Sequence, residues 1–178
     1  MKLFAWKIGL AILGVLVLLS GCGGSGEDKE VTEADIKKAQ ELLEKGNDFA
    51  AQGAARAEDA VKAYKDAIVV NPKYAEAYNA LGLVQRGRQQ FREARQSFEK
   101  AIELNAQYAE AYKNLGFAYY VDGILDKAID NYKKAIDNNA EYGEAHYYLG
   151  KAYVGQGKLS EARDHIRKSK ALGFTPDS

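Results

Sequence analysis

Asn71-Pro72-Lys73-Tyr74-Ala75-Glu76-Ala77-Tyr78, followed by Leu81-Gly82, recurs 34 residues later as Asn105 to Gly116 and once more as Asn139 to Gly150. A unit of that length, repeated in register, is one supersecondary element that must stack on its neighbours to bury its apolar face. Apolar positions return at helical spacing inside it, as in Phe91, Ala94, Phe98, Ala101 and Ile102. The period therefore predicts an all-α array with a curved surface for a partner and no ready-made pocket for chemistry.

Aligning the three units shows which positions the packing constrains. With the first position at Ala75, Ala109 and Gly143, the fourth is Tyr78, Tyr112 and His146, and the Leu-Gly pair is Leu81-Gly82, Leu115-Gly116 and Leu149-Gly150. The twentieth is Ala94, Ala128 and Ala162, the twenty-fourth Phe98, Tyr132 and Ile166, and the twenty-seventh Ala101, Ala135 and Ser169. Small residues let paired helices approach closely, and large ones fill the gaps between pairs. This pattern resembles the tetratricopeptide repeat, a helix–turn–helix unit of 34 residues. The resemblance implies an all-α solenoid of about four repeats and eight helices in a right-handed superhelical stack.

A degenerate first unit precedes these three. Ala60, Tyr64, Ala67 and Pro72 fall on second-helix positions, and the first helix fits if Gly46 takes the glycine position, with Leu42 and Phe49 as large residues. That register places two extra residues in the turn near Ala54 to Ala57. Thr32 and Asp35 have the spacing of a helix start signal. Helices are expected over 33–52, 57–70, 75–88, 91–104, 109–121, 125–138, 143–156 and 159–172, in repeats 39–74, 75–108, 109–142 and 143–174 of a domain spanning 32–178. The twenty-eighth position, isoleucine at 68, 102 and 136, becomes Lys170 in the last unit, and Ser169 precedes it. A polar outer face on a terminal unit keeps a stacked array soluble.

The front of the chain reads differently. Lys2 and Lys7 precede an apolar run from Ile8 to Leu19, which ends in Leu19-Ser20-Gly21-Cys22. This is the layout of a secretory signal segment over 1–21, and the run is short of the roughly 20 apolar residues a spanning helix needs. Leu19 to Cys22 resembles the lipobox of bacterial lipoproteins, which implies that Cys22, the only cysteine, is lipidated. Residues 22–31 follow as a flexible polar tether. Gram-negative lipoproteins held in the inner membrane carry an aspartate after the cysteine; Gly23 stands here, so the resemblance implies an outer-membrane address facing the periplasm.

In this family the second, fifth, ninth and twelfth positions of each first helix point into the concave groove. Carried over, they are Glu76, Asn79, Leu83 and Arg86, then Glu110, Lys113, Phe117 and Tyr120, then Glu144, Tyr147, Lys151 and Val154. Phe117, Tyr120 and Tyr147 would form an aromatic patch edged by charge, a device for peptide recognition. Glu76, Glu110 and Glu144 would form an acidic ladder, although each also sits in a first turn, where the helix dipole favours a carboxylate. The family's two-carboxylate clamp is not reproduced: Leu43 stands where it needs lysine, Ala80 where it needs asparagine and Glu110 where it needs lysine.

Other classes find little support. Twenty-five basic residues balance 25 acidic ones, so no basic excess suggests nucleic acid. His146, at a core-type position, and His165, read as solvated, are the only histidines, and no Gly-rich phosphate loop, nucleophile elbow or Cys-His pairing is present. The expectation is a non-enzymatic protein without cofactor or metal. It would be a membrane-tethered adaptor that captures a segment of another envelope protein during assembly of pili, secretion, outer-membrane or cell-wall machinery. The alternative is a structural component that self-associates through its convex face or its irregular first unit.

Overall fold

The computed structural model describes residues 30–176. The expected signal segment, Cys22 and most of the tether lie outside the described residues. Eight α-helices follow in order: α1 (Glu33–Ala51), α2 (Ala57–Val70), α3 (Ala75–Gly87), α4 (Phe91–Leu104), α5 (Ala109–Val121), α6 (Leu125–Asn138), α7 (Gly143–Gly155) and α8 (Leu159–Ala171). Each lies within one residue of its expected bounds, and the described residues contain no strand. The protein is an all-α solenoid.

Local chemistry explains the starts and stops. Thr32 and Asp35 close a capping box at α1, with Asp35 N donating to Thr32 Oγ1 at 3.1 Å and Thr32 N donating to Asp35 Oδ2 at 3.1 Å. Between units, the recurring asparagine accepts from the backbone N–H two residues on: Asn71 from Lys73 at 3.0 Å, Asn105 from Gln107 at 3.0 Å and Asn139 from Glu141 at 3.1 Å. These Asx turns redirect the chain into the next helix and explain why the asparagine returns with the period. Helices α3, α5, α7 and α8 end in Schellman turns; for α5, Ile124 N donates to Tyr119 O at 2.9 Å and Gly123 N to Tyr120 O at 3.0 Å. The residue that turns left-handed there is Gly123, Gly157 or Gly173, but Gln89 (φ 60°) after α3. The two extra residues of the first unit are absorbed by a 3-10 turn over Gly53–Arg56.

Pairing within a unit rests on one close approach. A β-carbon on Gly46 would stand 2.4 Å from the Tyr64 ring, on Gly82 2.5 Å from Phe98, on Gly116 2.8 Å from Tyr132 and on Gly150 2.7 Å from Ile166. Ala60, Ala94 and Ala128 are fully buried at the same crossings, so the backbones of the two helices can meet. Each helix packs on its sequence neighbour. The odd helices also touch along the stack (α1 on α3, α3 on α5, α5 on α7), whereas the even helices do not touch one another. The odd helices therefore lie on the inside of the curve.

The C-terminal end departs from the expected polar face in one respect. Lys170 is exposed, but Ser169 is 1% exposed. The chain turns at Gly173 and lays Leu172 and Phe174 against Gly143, where a β-carbon would stand 2.9 Å from Phe174 Cβ.

The glycine contact makes a signed prediction. An alanine in an open helix position is favoured over glycine by about 1 kcal/mol. At Gly82 the Phe98 ring occupies the methyl's space, so Gly82→Ala should instead lower stability by about 1–3 kcal/mol. Gly87, where an added methyl would meet nothing within 4 Å, should tolerate alanine or gain from it. Urea unfolding of both variants checks this, and equal responses would show that packing against Phe98 is not what requires the glycine.

The inner face of the odd helices as a candidate docking surface

The positions carried over from the repeat register divide into two groups. Asn79 (3% exposed) and Lys113 (7%) are buried and do not present to an open groove, which corrects their expected placement. Both are used in stacking. Asn79 Nδ2 donates to Tyr108 Oη at 3.3 Å and to Glu110 Oε1 at 3.4 Å, and its Oδ1 accepts from Asn114 Nδ2 at 3.0 Å. Lys113 Nζ donates to Glu144 Oε1 at 3.1 Å and lies 5.9 Å over the Tyr142 ring. Burial, then the Glu110 and Glu76 charges, push the Tyr108 hydroxyl up to about 12, so it stays protonated.

The acidic ladder is consequently half spent. Glu110 and Glu144 are half-buried and engaged by the preceding unit, while Glu76 is exposed. Lys151 is exposed and sits 5.6 Å over the Tyr147 ring; Val154, one turn further, is also exposed.

The second group forms a continuous aromatic run. The Arg86 guanidinium lies 4.9 Å over the Phe117 ring. Phe117 and Tyr148 meet edge to face with ring centroids 5.4 Å apart, Tyr148 and Tyr147 at 5.4 Å, and Tyr147 and Phe174 at 5.6 Å. Tyr120 packs with Tyr148 onto the core around Tyr132 and Leu149. All of these rings except Tyr132 are half-buried, so they both pack and present a face. Tyr148 and Phe174 were missed by the register: Tyr148 occupies a sixth position, and Phe174 lies outside the period. The one available signal for Phe174 was an aromatic directly after a glycine at a helix end, a site that often makes a hydrophobic contact back onto the helix.

At the other end of the face, α1, α2, α3 and the 3-10 turn enclose a cavity of about 450 Å³. Asn47, Ala50, Ala57, Tyr64, Leu83 and Val84 are among its lining residues, and Tyr64 Oη donates to Asn47 Oδ1 at 2.8 Å. Leu83 thus belongs to a recess, where the register places it on an open wall. The described residues hold no cluster of three or more histidine, cysteine or acidic side chains able to grip a metal ion, and no helix long and apolar enough to cross a membrane.

A family model described as TPR repeat matches residues 46–87, 86–123 and 122–157. These spans cover more than half of the sequence, and the chain belongs to the tetratricopeptide repeat family. Its fold is similar to a crystal structure of MamA, at 32% identity over 82% of this chain and 84% of that one, with a TM-score of 0.69. MamA residues 41 to the end from Desulfovibrio magneticus RS-1 align at 27% identity over 79% of this chain and 78% of that one, with a TM-score of 0.67. The first TPR of Spaghetti (RPAP3), bound to the HSP90 peptide SRMEEVD, shares the fold at 24% identity, 68% and 94% coverage and a TM-score of 0.65. No curated protein matches the sequence. The chain has the architecture of a protein-interaction scaffold, and repeats of this kind are typically interaction modules rather than enzymes.

Behind the groove, the two histidines form a pair that the sequence did not reveal. His146 Nδ1 and His165 Nδ1 are 2.9 Å apart, with the rings stacked at 5.2 Å, so His165 is half-buried rather than solvated. Only one of the two facing nitrogens can carry a proton. Desolvation pulls both histidines below the ordinary value; Lys168 adds to this at His146, and the His146 and Lys133 charges add to it at His165. The Ala140 carbonyl and Asp164 oppose it, and Tyr153 stacks on His165 at 5.7 Å. Because folding lowers these values, the unfolded chain takes up protons first. The stabilising contribution is complete above the unfolded histidine value of about 6.5 and is lost as the pH falls below it. Thermal melts at pH 7.5, 6.5 and 5.5 should show a falling midpoint, and His165→Gln should flatten that dependence.

Proposed function

We propose that this chain is a lipid-anchored adaptor of the bacterial cell envelope. Cys22 carries the lipid, the following polar residues act as a tether, and the inner face of the odd helices captures a segment of another envelope protein. The observation that carries this reading is the unbroken run of half-buried side chains from Arg86 through Phe117, Tyr148 and Tyr147 to Phe174. Rings of this kind offer large contact area at low entropic cost, and charge at the edges supplies orientation. Support for the anchor is the apolar leader ending in Leu19-Ser20-Gly21-Cys22, and support for an outer-membrane address is Gly23. Anchoring confines a partner to the same surface, so modest contacts in the groove suffice for capture.

Two measurements test the two halves. Labelling with an alkyne fatty acid in the native host should mark the wild-type protein and not Cys22→Ser, and the labelled protein should travel with outer-membrane fractions. Partners co-purified from native membranes should be lost when Phe117, Tyr120 and Tyr147 become alanine while helix content is unchanged. Retention of the same partners by that variant would remove the groove from the account.

A further inference from the structure

We infer that the inner face reads an acidic side chain placed close to an apolar one, with Arg86 receiving the carboxylate and the neighbouring recess receiving the apolar group. This rests on the proposed capture of a partner segment by that face.

Arg86 stands in the last turn of α3, half-buried over the Phe117 ring, and its side chain has neither a hydrogen bond nor an ion pair among the described residues. Its neighbours are matched. Arg88 pairs with Glu58 at 2.5 Å, Arg95 pairs with Asp122, and Lys113 answers Glu144 at 3.1 Å. Among the described residues, Arg86 is left on this face without a carboxylate.

A second, independent feature converges on the same spot. Tyr132 is 0% exposed and its hydroxyl has no hydrogen-bond partner among the described residues. Its ring stacks at 5.9 Å on Tyr148, which makes an edge-to-face contact with the Phe117 ring under the guanidinium. Burial raises both the Tyr132 and the Tyr148 phenols so that they remain proton donors; the Glu144 carboxylate adds to this at each and the Arg86 guanidinium opposes it. A buried donor without an acceptor is costly. The half-buried Tyr148 ring lies against the Tyr132 ring, so a ligand that displaced it would meet Arg86 together with one or two phenol donors. Such a set suits a carboxylate, which accepts the two parallel bonds a guanidinium offers.

The apolar half of the motif comes from the cavity of about 450 Å³ between the first two units, large enough to seat an aromatic or branched aliphatic side chain. Leu83 lines it, and Leu83 and Arg86 are three residues apart on α3, hence neighbours on one helix face. An extended segment advances about 3.3 Å per residue, so the apolar and acidic residues lie within about three positions of each other. The occupant is therefore an internal segment of a partner protein with leucine or phenylalanine close to glutamate or aspartate.

The test uses the full chain in detergent and dye-labelled, end-capped octapeptides with leucine and, two positions on, glutamate, glutamine or lysine, read by fluorescence polarisation. The glutamate peptide should bind about tenfold or more tighter than the glutamine peptide, and the lysine peptide weakest. Arg86→Gln should bring the glutamate peptide down to the glutamine level, and Tyr132→Phe, which preserves the packed ring, should cut the preference several-fold. Equal binding of the glutamate and glutamine peptides, or a preference that survives Arg86→Gln, overturns the inference. So does tighter binding of an uncapped peptide whose only carboxylate is its C-terminus. If peptides bind without regard to charge and Phe117→Ala weakens them, capture by this face stands and the carboxylate reading alone fails; if no peptide binds, both fail.

Discussion

The structure depends on an apolar side chain lying against a bare α-carbon. Tyr64 on Gly46, Phe98 on Gly82, Tyr132 on Gly116 and Ile166 on Gly150 bring the two helices of each unit together. That contact fixes how far each inner helix is rotated about its axis, and with it which side chains can reach the open face. It also makes stability local. Each unit closes on its own glycine, and helices meet only their own unit and the adjacent ones.

Between units a second contact recurs, with changing chemistry. The fifth position of each inner helix meets the aromatic residue that precedes the next. Leu43 and Tyr74 share one apolar cluster, Asn79 donates to the Tyr108 hydroxyl, the Lys113 ammonium lies over Tyr142, and Tyr147 packs on Phe174. Phe174 thus takes, at the end of the stack, the place that a further unit's tyrosine would fill. The price of this joint is groove surface: Asn79 and Lys113 have become part of the seam between units.

That exchange explains what the sequence could and could not reveal. Helix bounds, the capping box at Thr32, the role of Gly46 and the widened turn before Ala57 were legible because each rests on local spacing that the period repeats. Side-chain exposure at the fifth position was not legible, because it depends on which residue the next unit places opposite. The same holds for His165, whose solvated look in α8 gives way to contact with His146 on α7. Tyr148 reaches the face although the register assigns the groove to other positions, because the large rings of Phe117 and Tyr147 flank it. Period identifies a position's backbone environment; the partner across the seam decides its side chain's.

The charges of the face follow from the same geometry. Glu76, Glu110 and Glu144 stand in first turns and Arg86 in a last turn, so the helix dipole favours each where it is, by about 0.3–1 kcal/mol. A ring beneath the guanidinium adds a comparable amount. Those terms explain why Arg86 is tolerated without an ion pair; they do not explain why Arg88, two residues on, found Glu58 while Arg86 found none. Ten residues of helix separate the second position from the twelfth, about 15 Å, more than the Debye length of roughly 8 Å at physiological ionic strength. The two edges are therefore separate along a single helix, but they meet across units, where Arg86 and Glu144 both act on the Tyr132 and Tyr148 hydroxyls. With 25 basic and 25 acidic residues the chain carries no net charge to steer a partner from afar, so discrimination falls to contacts on the face, at Arg86 and at the exposed Lys151.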